Sequence, residues 1–422
     1  MSAIEKTATP RARTGLFAAL AIVGPGVITA MAGNDAGGVT TYSVAGASFG
    51  YDTLWMILVM VFALGVVQEM AVRMGCVTGK GLAALIREKF GIRPTLLAMV
   101  ALLLSNTATS VAEFAGIAAA LELFGIPKYV SVPVSALAVW LLVVRGDFRR
   151  VEKVLLALSA VFGLYVASAF VAQPDWGEVI RATVVPTFRP TVPFIALVIA
   201  AIGTTIAPWM QFFAQSNVVD KGLDVGDLRN QRIDAIAGVV AASLVAWFII
   251  ITTGTVLYPQ GIEITSAEQA AAALAPIAGQ YATVLFAIGL FGASLLAASV
   301  LPLTAAYAIT EAFGWERGID RSWSEAPAFN SIYTFVIFFG AAVVLIPGAP
   351  LIQLMVLSQT LGGILLPFML IFMVRLVNDR RIMGAHTNTG WQNALAWGTI
   401  VTVICLTVAL FGLQAATALG LL

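Results

Sequence analysis

Residues 24–38, GPGVITAMAGNDAGG, interrupt the first long apolar run, and the interruption narrows the possible folds sharply. From Leu16 onward the chain is apolar enough to enter a membrane. At Asn34-Asp35-Ala36-Gly37-Gly38 it meets an amide, a carboxylate and two glycines, and from Val39 it is helix-compatible again. A helix that only has to span has no use for an acid and paired glycines at its middle. Unwound backbone at membrane depth is tolerated only where protein buries it or water lines it. A carboxylate there marks a functional site, because its desolvation must be offset by a partner. The stretch predicts a cation site inside a helical membrane protein.

Composition agrees. The chain is 60% hydrophobic and 11% charged, against roughly 45–50% and about 25% in soluble domains. Cys76 and Cys405 belong to different apolar segments and predict no disulfide. The one histidine, His386, lies in a polar stretch with Arg380, Arg381 and Asn388 and reads as a solvated loop residue. Lys6, Arg11 and Arg13 before an apolar run ending at Ala30-Met31-Ala32 mimic a signal peptide. Gly24-Pro25-Gly26 inside the run, and its continuation to Gly46, argue against cleavage.

A hydrocarbon core of about 30 Å takes about 20 helical residues. On that ruler eleven spans are predicted, near 16–46, 53–74, 95–124, 129–145, 153–172, 192–219, 235–258, 281–312, 329–347, 351–376 and 393–418. With the N-terminus in the cytoplasm, all of the 23 lysines and arginines except Lys128, Arg181 and Arg189 fall inside, as the positive-inside rule demands. The C-terminus is then extracellular. The loop after the second span reads as a short amphipathic linker, with Leu82, Leu85, Ile86 and Phe90 opposite Arg87, Glu88 and Lys89.

A second interruption sits in the sixth span, at Gly203-Thr204-Thr205-Ile206-Ala207-Pro208-Trp209-Met210-Gln211. Proline removes one helical hydrogen bond and frees a carbonyl one turn earlier. A lone proline kink would need no further explanation. Two sets of five spans, each beginning with a broken one, are the sign of an inverted-repeat transporter whose site lies between the broken helices. The expected organisation is a single transport domain over 1–422: repeat one at about 16–172, repeat two at about 192–376, and an extra helix at about 393–418.

Other polar residues lie at membrane depth. Glu113, after Ser105-Asn106-Thr107-Ala108-Thr109-Ser110, is either a second acid on the permeation path or a buried carboxyl bonded to neighbouring helices. Gln359, between Ser358 and Thr360, either turns its amide to the site or bonds another helix. Gln68 and Glu69 are expected to snorkel at the cytoplasmic end of span two. Glu311 is expected to cap or pair with a loop. Gly289, Gly292, Ala293, Ser294, Ala297 and Ala298 predict tight packing of span eight. No Ser-His-Asp set, HExxH, phosphate-binding glycine loop or basic-aromatic patch is present, so neither an enzyme nor a nucleic-acid binder is indicated.

These residues resemble the Nramp family of divalent-metal transporters over nearly the whole chain. Gly24-Pro25-Gly26 is similar to the start of that family's first helix, and Asp35-Ala36-Gly37-Gly38 stands in place of its Asp-Pro-Gly-Asn motif. Ala108-Thr109-Ser110-Val111-Ala112-Glu113 resembles its third-helix Ala-Thr-Asp-Leu-Ala-Glu pattern. Ala207-Pro208-Trp209 stands where it has Met-Pro-His, and Leu357-Ser358-Gln359 matches its tenth-helix Ser-Gln element. The resemblance implies a LeuT-type fold of eleven helices with helices one and six broken, and a metal site between them.

The departures narrow the expected cargo. The soft methionine is Ala207 and the motif asparagine is Gly38, leaving oxygen donors, which suit Mg²⁺, Ca²⁺ and Mn²⁺. Mg²⁺ keeps several waters and is held by one or two carboxylates. The closest resemblance is therefore to the Nramp-related magnesium transporter branch, and the expected function is uptake of partly hydrated Mg²⁺, with Mn²⁺ also admitted, by alternating access. Ser110 and Trp209 replace the family's proton-pathway aspartate and histidine, which implies uptake without proton coupling; Glu113 remains a proton acceptor that would contradict this. The membrane potential supplies about 2.3 kcal/mol per charge per 100 mV. Expected metal contacts are Asp35, the carbonyls of Ala32, Gly38, Thr204 and Ala207, the Thr204 hydroxyl and the Gln359 amide. Ala36, Gly37, Pro208, Trp209, Ser110 and Glu113 form the break or the pathway. A proton-coupled Mn²⁺ or Fe²⁺ transporter and an organic-solute symporter are the rival readings. No cofactor is expected. The partners are the divalent ion and the lipid bilayer, in a bacterial plasma membrane; a monomer is compatible with all of this.

Overall fold

The computed structural model describes residues 34–144, 163–318 and 321–419, and among them every regular element is a helix. The longer α-helices are α1 (Ala36–Phe49), α2 (Leu54–Thr78), α3 (Leu82–Phe90), α4 (Ile92–Glu122), α5 (Lys128–Val144), α6 (Leu164–Ala172) and α7 (Trp176–Val184). They continue as α8 (Val192–Thr205), α9 (Pro208–Asp220), α10 (Leu228–Val256), α11 (Ala282–Phe313), α12 (Pro327–Val344), α13 (Leu351–Val377) and α14 (Gly390–Ala418). Eight, counting α8 and α9 together, are long and apolar enough to cross a membrane, and Lys128–Leu142 is a shorter apolar helix. The expected spans at 16–46 and 153–172 extend outside the described residues, as do Ala32 and Gly24-Pro25-Gly26.

The bundle inverts the soluble pattern. Large apolar side chains stay exposed on outward faces, among them Phe62 on α2, Val100 on α4, Phe339 on α12 and Val408 on α14. Polar residues such as Asn106, Ser110, Glu113 and Gln359 are buried within. A lipid solvent explains both, since it rewards apolar exposure and forces polar groups to find partners in the bundle. This is a multi-pass integral membrane protein.

Helices cross closely where side chains vanish. A Cβ on Gly203 of α8 would lie 2.1 Å from the Gln359 carbonyl of α13, and one on Gly363 2.3 Å from the Ile199 carbonyl of α8. A Cβ on Gly116 of α4 would lie 2.4 Å from both Ala36 Cβ and Ser294 Oγ. The small-residue face of α11 is buried against α4 and α12, so it packs as expected. The linker α3 buries Leu82, Leu85 and Ile86 and is pinned by a Lys89–Asp379 ion pair.

The connection at 173–191 contains helix α7, whose first turn is capped by Asp175 accepting from Gly177 and Glu178 N–H. One expectation changes here. Glu69 does not snorkel: it is 7% exposed and paired with Arg73 at 3.0 Å and Arg232 at 2.7 Å. Two guanidiniums on different helices meet a carboxylate that would otherwise have to reach water. Glu311 pairs with Arg317 at 3.3 Å, a loop contact as expected. Cys76 and Cys405 are free thiols.

Candidate metal site

At the first interruption the helix resumes earlier than expected. Helix α1 starts at Ala36, and Asp35 is its extended N-cap, with Oδ1 accepting from Gly38 N–H at 2.7 Å. A capping carboxylate satisfies one of the orphan donors of a first turn. It also holds its charge at the positive end of the helix. Ala36, Gly37 and Gly38 are therefore first-turn helical residues rather than unwound ones. The Gly38 carbonyl belongs to the helical ladder, which corrects its expected place among free oxygens.

The second break has the opposite construction. Helix α8 ends at Thr205, Ile206 turns out of the helix, and Ala207 is extended (φ −61°, ψ 137°) with Pro208 opening α9. Pro208 has no N–H to give the Thr204 carbonyl one turn back. The Ala207 carbonyl is less free than expected: it accepts from Met210 N–H at 3.1 Å. With its amide turned to satisfy both ends, Gln211 donates to the Ala207 and Pro208 carbonyls at 2.7 and 2.8 Å.

Tertiary packing brings the breaks together. Tyr42 on α1 and Thr205 on α8 share a hydrogen bond of 2.6 Å. The Gln359 side chain of α13 lies over the start of α1, so close that a Cβ on Gly37 would be 1.8 Å from Nε2. The same residue's carbonyl packs on Gly203, one residue before Thr204. Gln359 thus touches both the start of α1 and the end of α8. Gln359 Nε2, Thr204 Oγ1 and Glu113 Oε1 are buried without a hydrogen-bond partner among the described residues. Buried donors and acceptors rarely stay unpaired; the two oxygens can take a cation, and Gln359 can join them only with its amide turned to present Oε1.

Glu113 joins the same place. It is 0% exposed, its Oε2 accepts from Ala36 N–H at 3.3 Å, and its carboxyl faces that of Asp35. Asp35 is therefore not a lone charge. Two carboxylates facing each other out of water repel, and a divalent cation between them cancels that repulsion. Ser110 and Trp209 stand apart from this group: Ser110 packs on Gly340 of α12, and Trp209 is buried against Phe213. Sequence reasoning missed the Tyr42–Thr205 tie; Tyr42 lies seven residues after Asp35, on the same helix face. Met210 was also missed, and with Asn34, Tyr42 and Thr205 it lines a small cavity beside the breaks. No group of three or more His, Cys, Asp or Glu side chains gathers among the described residues, so any cage here relies on amides, hydroxyls and carbonyls.

Comparisons with known proteins agree with this architecture. The family model described as natural resistance-associated macrophage protein-like, Nramp, matches residues 26–412. A divalent metal cation transporter MntH of Xanthomonas campestris is 31% identical over 97% of this chain and 94% of its own. MntH 1 of Pseudomonas aeruginosa is 30% identical, over 100% of this chain and 94% of its own. Among solved structures, the manganese transporter of Eremococcus coleocola superposes with a TM-score of 0.78 at 22% identity, covering 97% of this chain and 89% of that one. MhsT, solved with L-phenylalanine, has a TM-score of 0.63 at 13% identity, with 91% and 98% covered. The fold is of the LeuT type, and the chain belongs to the Nramp family.

Proposed function

We propose that the protein carries a hard divalent cation across a bacterial plasma membrane by alternating access, binding it between the α1 cap and the α8–α9 break. One observation carries this reading: the Asp35 and Glu113 carboxyls meet at the start of α1, where Glu113 Oε2 accepts from Ala36 N–H and Glu113 Oε1 and Thr204 Oγ1 stay buried without a protein partner among the described residues. Asp35 and Glu113 supply negative charge. The Thr204 carbonyl and hydroxyl and the Gln359 amide oxygen supply neutral donors, and the C-terminal end of α8 adds its negative dipole. Repeats of five spans at 16–172 and 192–376, with an N-terminus inside and a C-terminus outside, would move against each other around this point.

Mn²⁺ is the cargo favoured by the relatives, which bear manganese and divalent-metal names. The expected preference for Mg²⁺ receives no support from those relatives. It rests on Ala207 and Gly38, which stand where the family has a sulfur and an amide donor, and oxygen sites suit both ions. Uptake without proton coupling rests on Ser110 and Trp209, while Glu113 is the group at the site that would carry a proton if coupling exists. One proteoliposome preparation tests all three. Uptake of Mn²⁺ and Mg²⁺, each read with an internal pH reporter, ranks the ions and shows whether protons accompany them. Flux of neither ion, or flux unchanged in Asp35→Asn, overturns the site.

A further inference from the structure

A groove of about 710 Å³ opens where α2, α10, the 385–389 connection and the start of α14 meet. One end is polar. Glu69 accepts from Arg232 Nε at 2.7 Å and from Gln392 Nε2 at 3.2 Å, and pairs with Arg73 at 3.0 Å. Arg73 is 2% exposed and also donates to the His386 carbonyl and to Asn388. Arg232 is different. Its side chain is 43% exposed, and its two terminal amino groups have no partner among the described residues. The charged groups lining the groove are two guanidiniums and one carboxylate, leaving one positive charge in excess.

The other end is apolar and open. Phe62 on α2 and Ile236 and Val240 on α10 stay exposed there. Gly65 opens the wall between them and the charged end, since a Cβ on it would meet nothing within 4 Å. Trp391 is 61% exposed at the head of α14, and exposed tryptophans are enriched at membrane–water boundaries. The polar end lies beside the connection that carries Arg380 and Arg381.

We propose that this groove binds an anionic phospholipid, its phosphate held by Arg232 and its acyl chain laid along Phe62, Ile236 and Val240. The charge argues for the headgroup. A zwitterionic lipid gains little from a site with one excess cation, whereas an anionic phosphate meets a planar guanidinium whose free amino groups can grip two oxygens at once. The apolar wall argues for a lipid rather than free phosphate, because it adds affinity only to a ligand with a chain. Basic pockets between helices at the cytoplasmic face hold such headgroups in other membrane proteins.

The test titrates the purified full chain in detergent with phosphatidylglycerol, phosphatidylcholine or inorganic phosphate, following thermal unfolding. Phosphatidylglycerol should raise the melting temperature saturably, and the other two should not. Arg232→Gln should weaken the apparent affinity about tenfold by removing a charge-assisted contact. Gly65→Leu should do the same by filling the groove while leaving the Glu69 ion pairs intact, so the test survives a misfolded Arg232 variant. Three outcomes overturn the proposal: an equal rise with phosphatidylcholine, a phosphatidylglycerol response unchanged in Gly65→Leu, or a rise reproduced by inorganic phosphate alone.

Discussion

The two breaks solve one problem in opposite ways. At the start of α1 side chains close the backbone: Asp35 Oδ1 accepts from Gly38 N–H, and Glu113 Oε2 accepts from Ala36 N–H. At the α8–α9 junction no side-chain hydrogen bond caps Ala207 among the described residues, and Pro208 opens the new helix without an N–H. The first break concentrates negative charge around helix donors. The second leaves neutral carbonyl oxygen at a helix C-terminus. A cation needs both, charge for attraction and neutral oxygens to replace its water. The contrast also warns that Asp35 is a cap as well as a candidate ligand, so its loss must be read with the cap held constant.

The largest expected effect separates those roles. Asn is as good an N-cap as Asp, so Asp35→Asn keeps α1 intact and removes only the charge. Divalent-ion uptake should fall at least about 100-fold, matching a lost charged contact of about 3 kcal/mol. Asp35→Ala should lose the same flux and a further ~1 kcal/mol of stability from the missing cap. Retained flux in the Asn variant with loss in the Ala variant would make Asp35 a cap alone.

Glu113→Gln preserves an acceptor for Ala36 N–H while deleting the second charge. It should cut uptake by about tenfold, the lower end for a charge-assisted contact, and abolish any internal pH change that accompanies the metal. An unaltered rate would return Glu113 to a purely structural role. At the second break, Pro208→Ala restores an N–H one turn from the Thr204 carbonyl. If that oxygen serves the ion, initial uptake should drop by roughly fivefold, about one neutral hydrogen bond's worth.

Smaller effects test what holds the breaks together. Gly37→Ala puts a methyl where Gln359 Nε2 lies, and the strain should lower stability by about 1 kcal/mol, the low end for overpacking because the amide can swing aside. Thermal unfolding measures this, and an unchanged midpoint would show that the amide does not rest on α1. Ala207→Met tests cargo choice. Adding a soft donor should raise competition by Cd²⁺ over Mg²⁺ by about threefold if donor softness sets preference. Equal competition before and after would place selectivity elsewhere.

Sequence alone determined the lipid-facing helices, because apolar runs of spanning length need no tertiary information to be read. It also marked both interruptions, since an acid with glycines and a mid-span proline disobey the rules of a plain spanning helix. Asp35, Thr204 and Pro208 stood out for that reason, and Gln359 as an amide at membrane depth. Tertiary structure decided the rest. Whether Glu113 faces Asp35 or another helix depends on the rotation of α4 about its own axis, which the run Ser105-Asn106-Thr107-Ala108-Thr109-Ser110, polar on several faces, does not encode. Which carbonyls stay free depends on distant donors: Gln211 and Met210 occupy Ala207, and the Asp35 cap folds Gly38 into α1. Glu69 shows the same limit, since its cation Arg232 stands 163 residues away. Polar partners inside a bundle are chosen by helix orientation and close glycine crossings, and those exist only once the helices have packed.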